Sequence, residues 1–485
     1  MHLNSYEFLF VFLPIVVAGF HLLNGRGWSE AAKGWLLLAS MVFYGYWNVR
    51  YLPVILGSGT LNYAIGRAFH RTSGAKGTEA RRRYALLCAG VAVNLALLAY
   101  FKYLDFIVDN VNAVARTHIA RPHVLLPMGI SFFTFTQISY IVDAYRGTAK
   151  RASTLDYYLF VSYFPHIIAG PILHHREIIP QFETIKEKVC SYRNLCVGLF
   201  LIFIGLFKKV VLADYFVDYA DQGYNVAKFL TFIDAWTTSL SYCLYVYFDF
   251  SGYTDMALGA SLMVNIQLPA NFNSPYKALN IQDYWRRWHM TLGRFLRDYV
   301  YIPLGGSRGS ELMTFRNLVI TFVLCGLWHG AAWGYVAWGL MQGVCIALLR
   351  QWQKLKIPIP YLVNVFLAFN FFNLSHIPFR SNGWKDMRKV LGGMIGLDGV
   401  MLPEFWQGRL GALARAGVTF GNVVTTRSTI LMTILGLVIV LCLDNSMEMA
   451  ARFKPTVRTW LLLAIAAIGG LAGIGRVREF LYFIF

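Results

Sequence analysis

Long apolar runs alternate along this chain with short polar, glycine-rich or basic connections. Residues 6–24, 34–48 and 51–68 form three hydrophobic segments ahead of a basic loop at 69–83, and 84–109 form a longer one carrying Asn94, Lys102 and Asp105. Such runs approach the ~20 residues that a helix needs to cross a bilayer. Their continuity predicts helices rather than the roughly ten-residue alternating strands of an outer-membrane barrel. Pro127 fits the first position of a helix over 128–147, where Asp143 and Arg146 lie three apart on one side and can pair. Residues 157–173 are apolar but interrupted by Pro165, Gly170 and Pro171, which predicts a re-entrant or kinked element, followed by a polar linker, HHREIIPQFETIKEK.

Further helices are expected over 194–213 and 233–248, with Gly252 and Gly259 allowing close helix contact just beyond. The stretch NIQLPANFNSPYKALN then predicts an irregular passage because of Pro269 and Pro275. Trp285, Trp288, Leu292, Phe295 and Tyr299 recur at steps of three and four, so an amphipathic helix should follow at the basic interface. IPLGGSRG supplies a glycine-rich turn that lacks the Walker pattern. A long or broken pair of elements spans 317–350 around Gly326, Gly330 and Gly334, and later spans are expected at 359–378, 429–444 and 459–475. Between them, 379–428 is a mixed loop with short amphipathic helices, and the closing RVREFLYFIF should dock at an interface. The pattern predicts an all-α polytopic membrane protein with re-entrant or broken helices, folded as a single integrated domain over residues 1–485.

Composition supports lipid as the solvent for much of the surface. Hydrophobic residues make up 57% of the 485 and charged residues 14%, with mean hydropathy +0.49, whereas soluble domains run near 45–50% apolar and about 25% charged. The opening MHLNSYEFLFVFLPIVVAGFHLL lacks a basic leader and a clear small-residue cleavage site, so it is expected to remain as a first span. The net charge of +19 sits mainly between apolar runs, at Arg67, Arg71, Lys76 and Arg81–Arg83 and again from Lys277 to Arg316. Such clusters are expected to stay cytoplasmic and meet anionic lipid. If the 69–83 loop is inside, an odd number of crossings before it puts the N-terminus outside. No stretch is left over for a packed nucleic-acid-binding module. The seven cysteines show no CxxC pair, which argues against a disulfide framework or a zinc site.

An ionisable side chain inside an apolar span is costly unless it is used, which makes His329, in LCGLWHGAAWG, the first candidate. A neutral imidazole can take a proton from a nucleophile and return it to a leaving group, as acyl transfer requires. His289 borders the aromatic stripe and is the second candidate; its bland alternative is a structural or head-group role. His166, His174 and His175 do not complete a ligand pattern, so no metal is expected. Lys277, Arg286, Arg287, Arg294 and Arg297 could hold the phosphates of an acyl donor, or equally serve positive-inside topology and lipid head groups. Asp249 and Asp255 could orient a histidine or sit in a buried structural network. A transporter or polysaccharide-export component is the competing class, because broken helices and buried charges also serve alternating access.

Long ordered blocks carry a more specific signal: LPMGISFFTFTQISYIVDAYRG at 126–147, YFPHIIAGPILHHREIIPQF at 163–182, YVYFDFSGYTDMALGASLM at 245–263, NFNSPYKALNIQDYWRRWHMTLGRFLRDYVYIPLGGSRG at 271–309 and LWHGAAWGYVAWGLMQG at 327–343. Through these the chain closely resembles bacterial membrane-bound O-acyltransferases (MBOATs), especially the branch that acetylates alginate and other exopolysaccharides, related to the D-alanylation membrane acyltransferase. The resemblance implies an MBOAT-like helical fold with a thin centre and a tunnel, opening to an acyl donor on the cytoplasmic side and toward an acceptor on the other. It makes His329 the principal catalytic histidine and His289 the second. It implies acetyl-CoA as donor with no tightly bound cofactor, a periplasmic acetyltransferase or acyl-carrier protein as partner, and a multi-pass location in the bacterial inner membrane. A lipid or aminoacyl-carrier substrate is the alternative within the same chemistry. The ending REFLYFIF differs in its last residues from the family's commoner FIYFQF form.

Overall fold

A computed structural model describes residues 1–72, 74 and 76–476; the C-terminal REFLYFIF lies outside the described residues. Helices dominate, and among the described residues there is no β-strand, only an isolated bridge between Leu402 and Phe420. Five helices are long and apolar enough to cross a membrane: Glu7–Gly25, Thr78–Ala115, Tyr192–Val226, Glu311–His329 and Tyr361–Arg380. The all-α polytopic expectation therefore holds. The chain forms two compact units, Met1–Phe203 with Tyr253–Ala270, and Ile204–Gly252 with Asn271–Phe485.

The first unit contains α1 (Glu7–Gly25), α2 (Ser29–Asn48), α3 (Leu52–Arg71), α4 (Thr78–Ala115), α5 (Ile130–Tyr145), α6 (Thr154–Ser162) and α7 (His175–Glu183). The α5 helix starts at Ile130 rather than beside Pro127, because Gly129 adopts φ +73° at its N-cap, where a Cβ would lie 2.2 Å from the Ile167 carbonyl oxygen. It is buried on nearly every face and packs against α3 and α4. Polar side chains make part of that contact: Asn62 on α3 bonds to Gln137, and Asn94 donates to the Asn62 side-chain oxygen at 2.8 Å. Satisfied amides of this kind tie helices together where lipid supplies no hydrogen bonds. Asp143 lies 4.0 Å from Arg146, the pairing expected from their spacing, and also 3.5 Å from His175.

Residues 163–174 are irregular and buried throughout, as the Pro- and Gly-interrupted run predicts. Their polar groups find partners in protein: Phe164 N–H donates to Ser40 Oγ at 3.0 Å, and the His166 ring bonds to the Phe160 carbonyl at 3.0 Å. The polar linker expected at 174–188 is corrected. Ile178, Ile179 and Phe182 fall on one face of α7 and are buried there, so helix formation is rewarded by apolar burial despite Pro180.

The helices α8 (Tyr192–Val226) and α9 (Phe232–Met263) each run through a unit boundary. In the first unit, Gly259 approaches the Gly198 carbonyl so closely that a Cβ would lie 2.5 Å from it. In the second, Gly252 stands in the same relation to Gly205, at 2.7 Å. Both glycines thus permit the close helix contact expected of them.

The remaining elements of the second unit are α10 (Ile281–Trp285), α11 (Met290–Leu296), α12 (Glu311–His329), α13 (Trp333–Lys354), α14 (Tyr361–Arg380), α15 (Trp384–Met394), α16 (Arg427–Cys442), α17 (Ser446–Ala451) and α18 (Val457–Gly473). The expected breaks near Gly326–Gly334 resolve into an antiparallel hairpin of α12 and α13 joined at Gly330–Ala332. Glycines form its seam: a Cβ on Gly326 would lie 2.1 Å from the Tyr335 oxygen, one on Gly339 2.3 Å from the Phe322 oxygen, and one on Gly343 2.7 Å from the Val319 Cα. Rigid backbone cannot yield as a side chain does. Gly339→Ala is therefore expected to force the hairpin apart at a cost of about 1–3 kcal/mol, read as a lowered thermal midpoint of the purified protein, while an unchanged midpoint would show that the seam tolerates separation.

Candidate active site

His329 is the last residue of α12, placed where the chain leaves the helix through extended Gly330. Its ring is walled by aromatic side chains. Ring centroids lie 4.9 Å from Trp328, 5.2 Å from Trp338 on α13 and 5.4 Å from Phe379 on α14, at interplanar angles of 72°, 89° and 74°. The residue is 5% exposed. Gly330 is needed beside it because a Cβ there would lie 2.1 Å from the Tyr335 ring. This edge-to-face packing fixes the orientation of the imidazole.

His289 does not lie in a continuous amphipathic helix as expected. The helix breaks, α10 ending at Trp285 and α11 beginning at Met290, with His289 between them at φ +41°, ψ 54°. A non-glycine residue in the left-handed region costs about 1–3 kcal/mol and persists only where its surroundings enforce it. Asn271 enforces it here. Its backbone carbonyl accepts from Met290 N–H at 3.0 Å. Its side-chain oxygen accepts from Thr291 N–H at 3.3 Å, from Thr291 Oγ at 2.9 Å and from His289 Nδ1 at 3.0 Å. The backbone N–H can only donate, which identifies that atom as oxygen, so His289 carries its proton on Nδ1 and presents Nε2 as the basic nitrogen. The imidazole is fully buried, with its centroid 4.8 Å from Phe250 and 5.9 Å from Trp328. Trp328 therefore contacts both histidines, and the two predicted candidates share one aromatic wall.

The predicted stripe survives the break in part: Trp288, Leu292 and Phe295 are buried, while Trp285 and Tyr299 are half-buried. Asn271 was not among the expected site residues, since nothing about an asparagine in a polar proline-containing stretch marks it as the partner of a histidine 18 positions on. His376 on α14 was also missed. It is buried, donates Nδ1–H to the Phe372 carbonyl at 2.7 Å and has its centroid 6.2 Å from Phe379. An ionisable residue in the apolar run 359–378 is the same signal that singled out His329.

The basic candidates separate by environment. Lys277 donates to the Leu443 carbonyl at 2.7 Å. Arg287 pairs with Asp283 at 2.9 Å and Arg297 with Asp298 at 2.7 Å. Arg294 is half-buried, whereas Arg286 is exposed. Asp249 is part of a buried ion cluster: Lys209 Nζ lies 2.7 Å from Asp249 and 3.1 Å from Asp214, with all three side chains almost wholly inaccessible. Of the two readings of Asp249, the buried network is the one observed. Asp255 is buried as well, in the first unit.

The model of the membrane-bound O-acyltransferase family, MBOAT, matches residues 143–374, which include both His289 and His329. The chain is 41% identical to a peptidoglycan O-acetyltransferase of Helicobacter pylori, over 99% of this chain and 97% of the relative. It is 42% identical to a probable alginate O-acetylase, AlgI, of Pseudomonas aeruginosa, over 72% of this chain and 66% of the relative. A teichoic acid D-alanyltransferase of Bacillus subtilis is more distant, at 31% over 48% of this chain and 62% of the relative. Similarity along nearly the full length of an acetyltransferase displaces the carrier reading that broken helices alone permit. The chain belongs to the membrane-bound O-acyltransferase family and is an acyl-transferring enzyme of the membrane.

Proposed function

We propose that the enzyme takes an acetyl group from acetyl-CoA at the cytoplasmic side of the inner membrane and passes it toward a glycan hydroxyl on the other side, in concert with a periplasmic acetyltransferase or acyl carrier. The observation that carries this reading is the buried imidazole of His329 at the end of a membrane-length helix, walled by Trp328, Trp338 and Phe379. In the proposed step His329 removes the proton of the acceptor hydroxyl as its oxygen attacks the thioester carbonyl. The new C–O bond forms, the C–S bond breaks, and the departing thiolate takes the proton back. His289, oriented by Asn271, offers a second basic nitrogen on a ring that also packs against Trp328. Peptidoglycan is the favoured acceptor because the relative matched end to end carries that name, whereas the alginate relative is matched over less of its length. An exopolysaccharide acceptor is the second reading.

Membranes containing the protein are to be supplied with isotope-labelled acetyl-CoA, a periplasmic partner and either peptidoglycan fragments or exopolysaccharide. Release of CoA with label on the glycan is expected; transfer only from a lipid or aminoacyl-carrier thioester would overturn the donor assignment. Because Arg286 is exposed and Arg287 and Arg297 each have an acidic partner, Arg286→Ala should raise KM for acetyl-CoA several-fold with kcat unchanged.

A further inference from the structure

Two buried donors on α13, one of them on the indole packed against His329, lack acceptors. Trp338 Nε1–H and the side-chain N–H₂ of Gln342 have no hydrogen-bond partner among the described residues, although Trp338 is 6% exposed and Gln342 fully buried. They stand four apart on α13 and therefore on one face of that helix. Trp285 ties them together: its indole N–H donates to Gln342 Oε1 at 3.2 Å, and its centroid lies 5.9 Å from that of Trp338. That bond fixes the Gln342 amide, because its oxygen is occupied and its nitrogen must point elsewhere. Trp338 is held in turn by His329 and Phe379, at 5.2 and 5.3 Å between centroids. Native proteins rarely bury a donor without an acceptor, and two such donors, linked through Trp285 and carried on the helix that packs Trp338 against His329, need an explanation.

We infer that Trp338 Nε1–H and Gln342 Nε2–H form the donor pair that receives the acyl carbonyl oxygen during transfer. This rests on His329 being the general base of the proposed reaction. As the acceptor oxygen adds to the thioester carbon, the C=O π pair moves onto oxygen, and the two N–H groups hydrogen-bond the resulting oxyanion. Collapse re-forms the C=O bond and expels the thiolate, which is protonated by the imidazolium of His329. Donors fixed in a water-poor site stabilise that charge without having to reorganise. Neither donor makes a hydrogen bond among the described residues, so the pair is left for the substrate.

Trp338→Phe keeps an aromatic ring against His329 and deletes the N–H. Gln342→Glu keeps an oxygen for Trp285 and deletes the amide donor, and Gln342→Met removes it without adding a carboxyl group. Each variant is to be compared with wild type for kcat and KM with the acyl-CoA that wild type turns over, for binding of an S-ethyl thioether analogue that lacks the carbonyl, and for thermal midpoint. Trp352→Phe, at an exposed position of the same helix, is the control. Expected is a fall in kcat of ~100-fold or more for loss of either donor, with binding of the carbonyl-free analogue and the thermal midpoint close to wild type. Folded variants that keep kcat within tenfold, or lose analogue binding as much as kcat, would overturn the donor-pair assignment. So would an equal loss in Trp352→Phe. A wrong choice of acetyl donor would show in wild type itself, whereas a wrong donor pair shows only in the variants.

Discussion

His329→Ala is expected to lower kcat by ~10²–10⁴-fold, the range that a positioned general base contributes. The substitution deletes the imidazole and leaves the three aromatic walls that surround it, Trp328, Trp338 and Phe379. Trp338 and Phe379 also contact each other, at 5.3 Å between centroids, and the seam of α12 and α13 is made by Gly326, Gly339 and Gly343 rather than by the imidazole, so the hairpin should hold. The proper comparison is thus turnover against fold. Release of CoA in membranes should nearly cease, while the thermal midpoint and donor binding stay close to those of wild type. His329→Gln restores hydrogen-bonding capacity without basicity and should be about as inactive. If either variant, folded, turns over within tenfold of wild type, the base is another group.

Lys209→Met is expected to produce the largest loss of stability. Lys209 sits between Asp214 and Asp249, at 3.1 and 2.7 Å, and all three are buried. Removing the cation leaves two carboxylates that lose their counter-charge away from water, a change worth roughly 3–5 kcal/mol when a buried pair is broken. It should appear as a large fall in the thermal midpoint or as failure to accumulate in membranes. Combining Lys209→Met with Asp214→Asn and Asp249→Asn removes the charges together and should recover much of the loss, since a matched neutral set avoids the desolvation that isolated ions suffer. A single variant as stable as wild type would mean that the cluster is not what holds α8 to α9 in this unit.

The break at His289 shows where sequence reasoning stops. The aromatic spacing through 285–299 is genuinely helical, and most of those residues are buried on one side. Yet a histidine gives no local sign that it will adopt φ +41°, as a glycine would. The reason lies 18 positions earlier, in an asparagine whose side chain accepts three hydrogen bonds from the far side of the break. Likewise α7 was hidden under the charged and proline-bearing composition of 174–188, because its apolar residues become a face only once there is a core to receive them. The division into two units falls inside α8 and α9, so no linker composition marks it.

By itself the sequence determined the solvent, the secondary structure class and most of the helices, and it singled out two histidines as candidates. These follow from local quantities: the length and continuity of apolar runs, glycine placement and the cost of an ionisable group among hydrophobic neighbours. Only the tertiary structure decided that His289 and His329 share Trp328, that Asp249 belongs to Lys209, and that Arg286 is exposed while Arg287 and Arg297 have acidic partners. Those outcomes depend on distances between side chains far apart in the chain, set by how closely glycine-lined helices can approach, and no periodicity within one element encodes them.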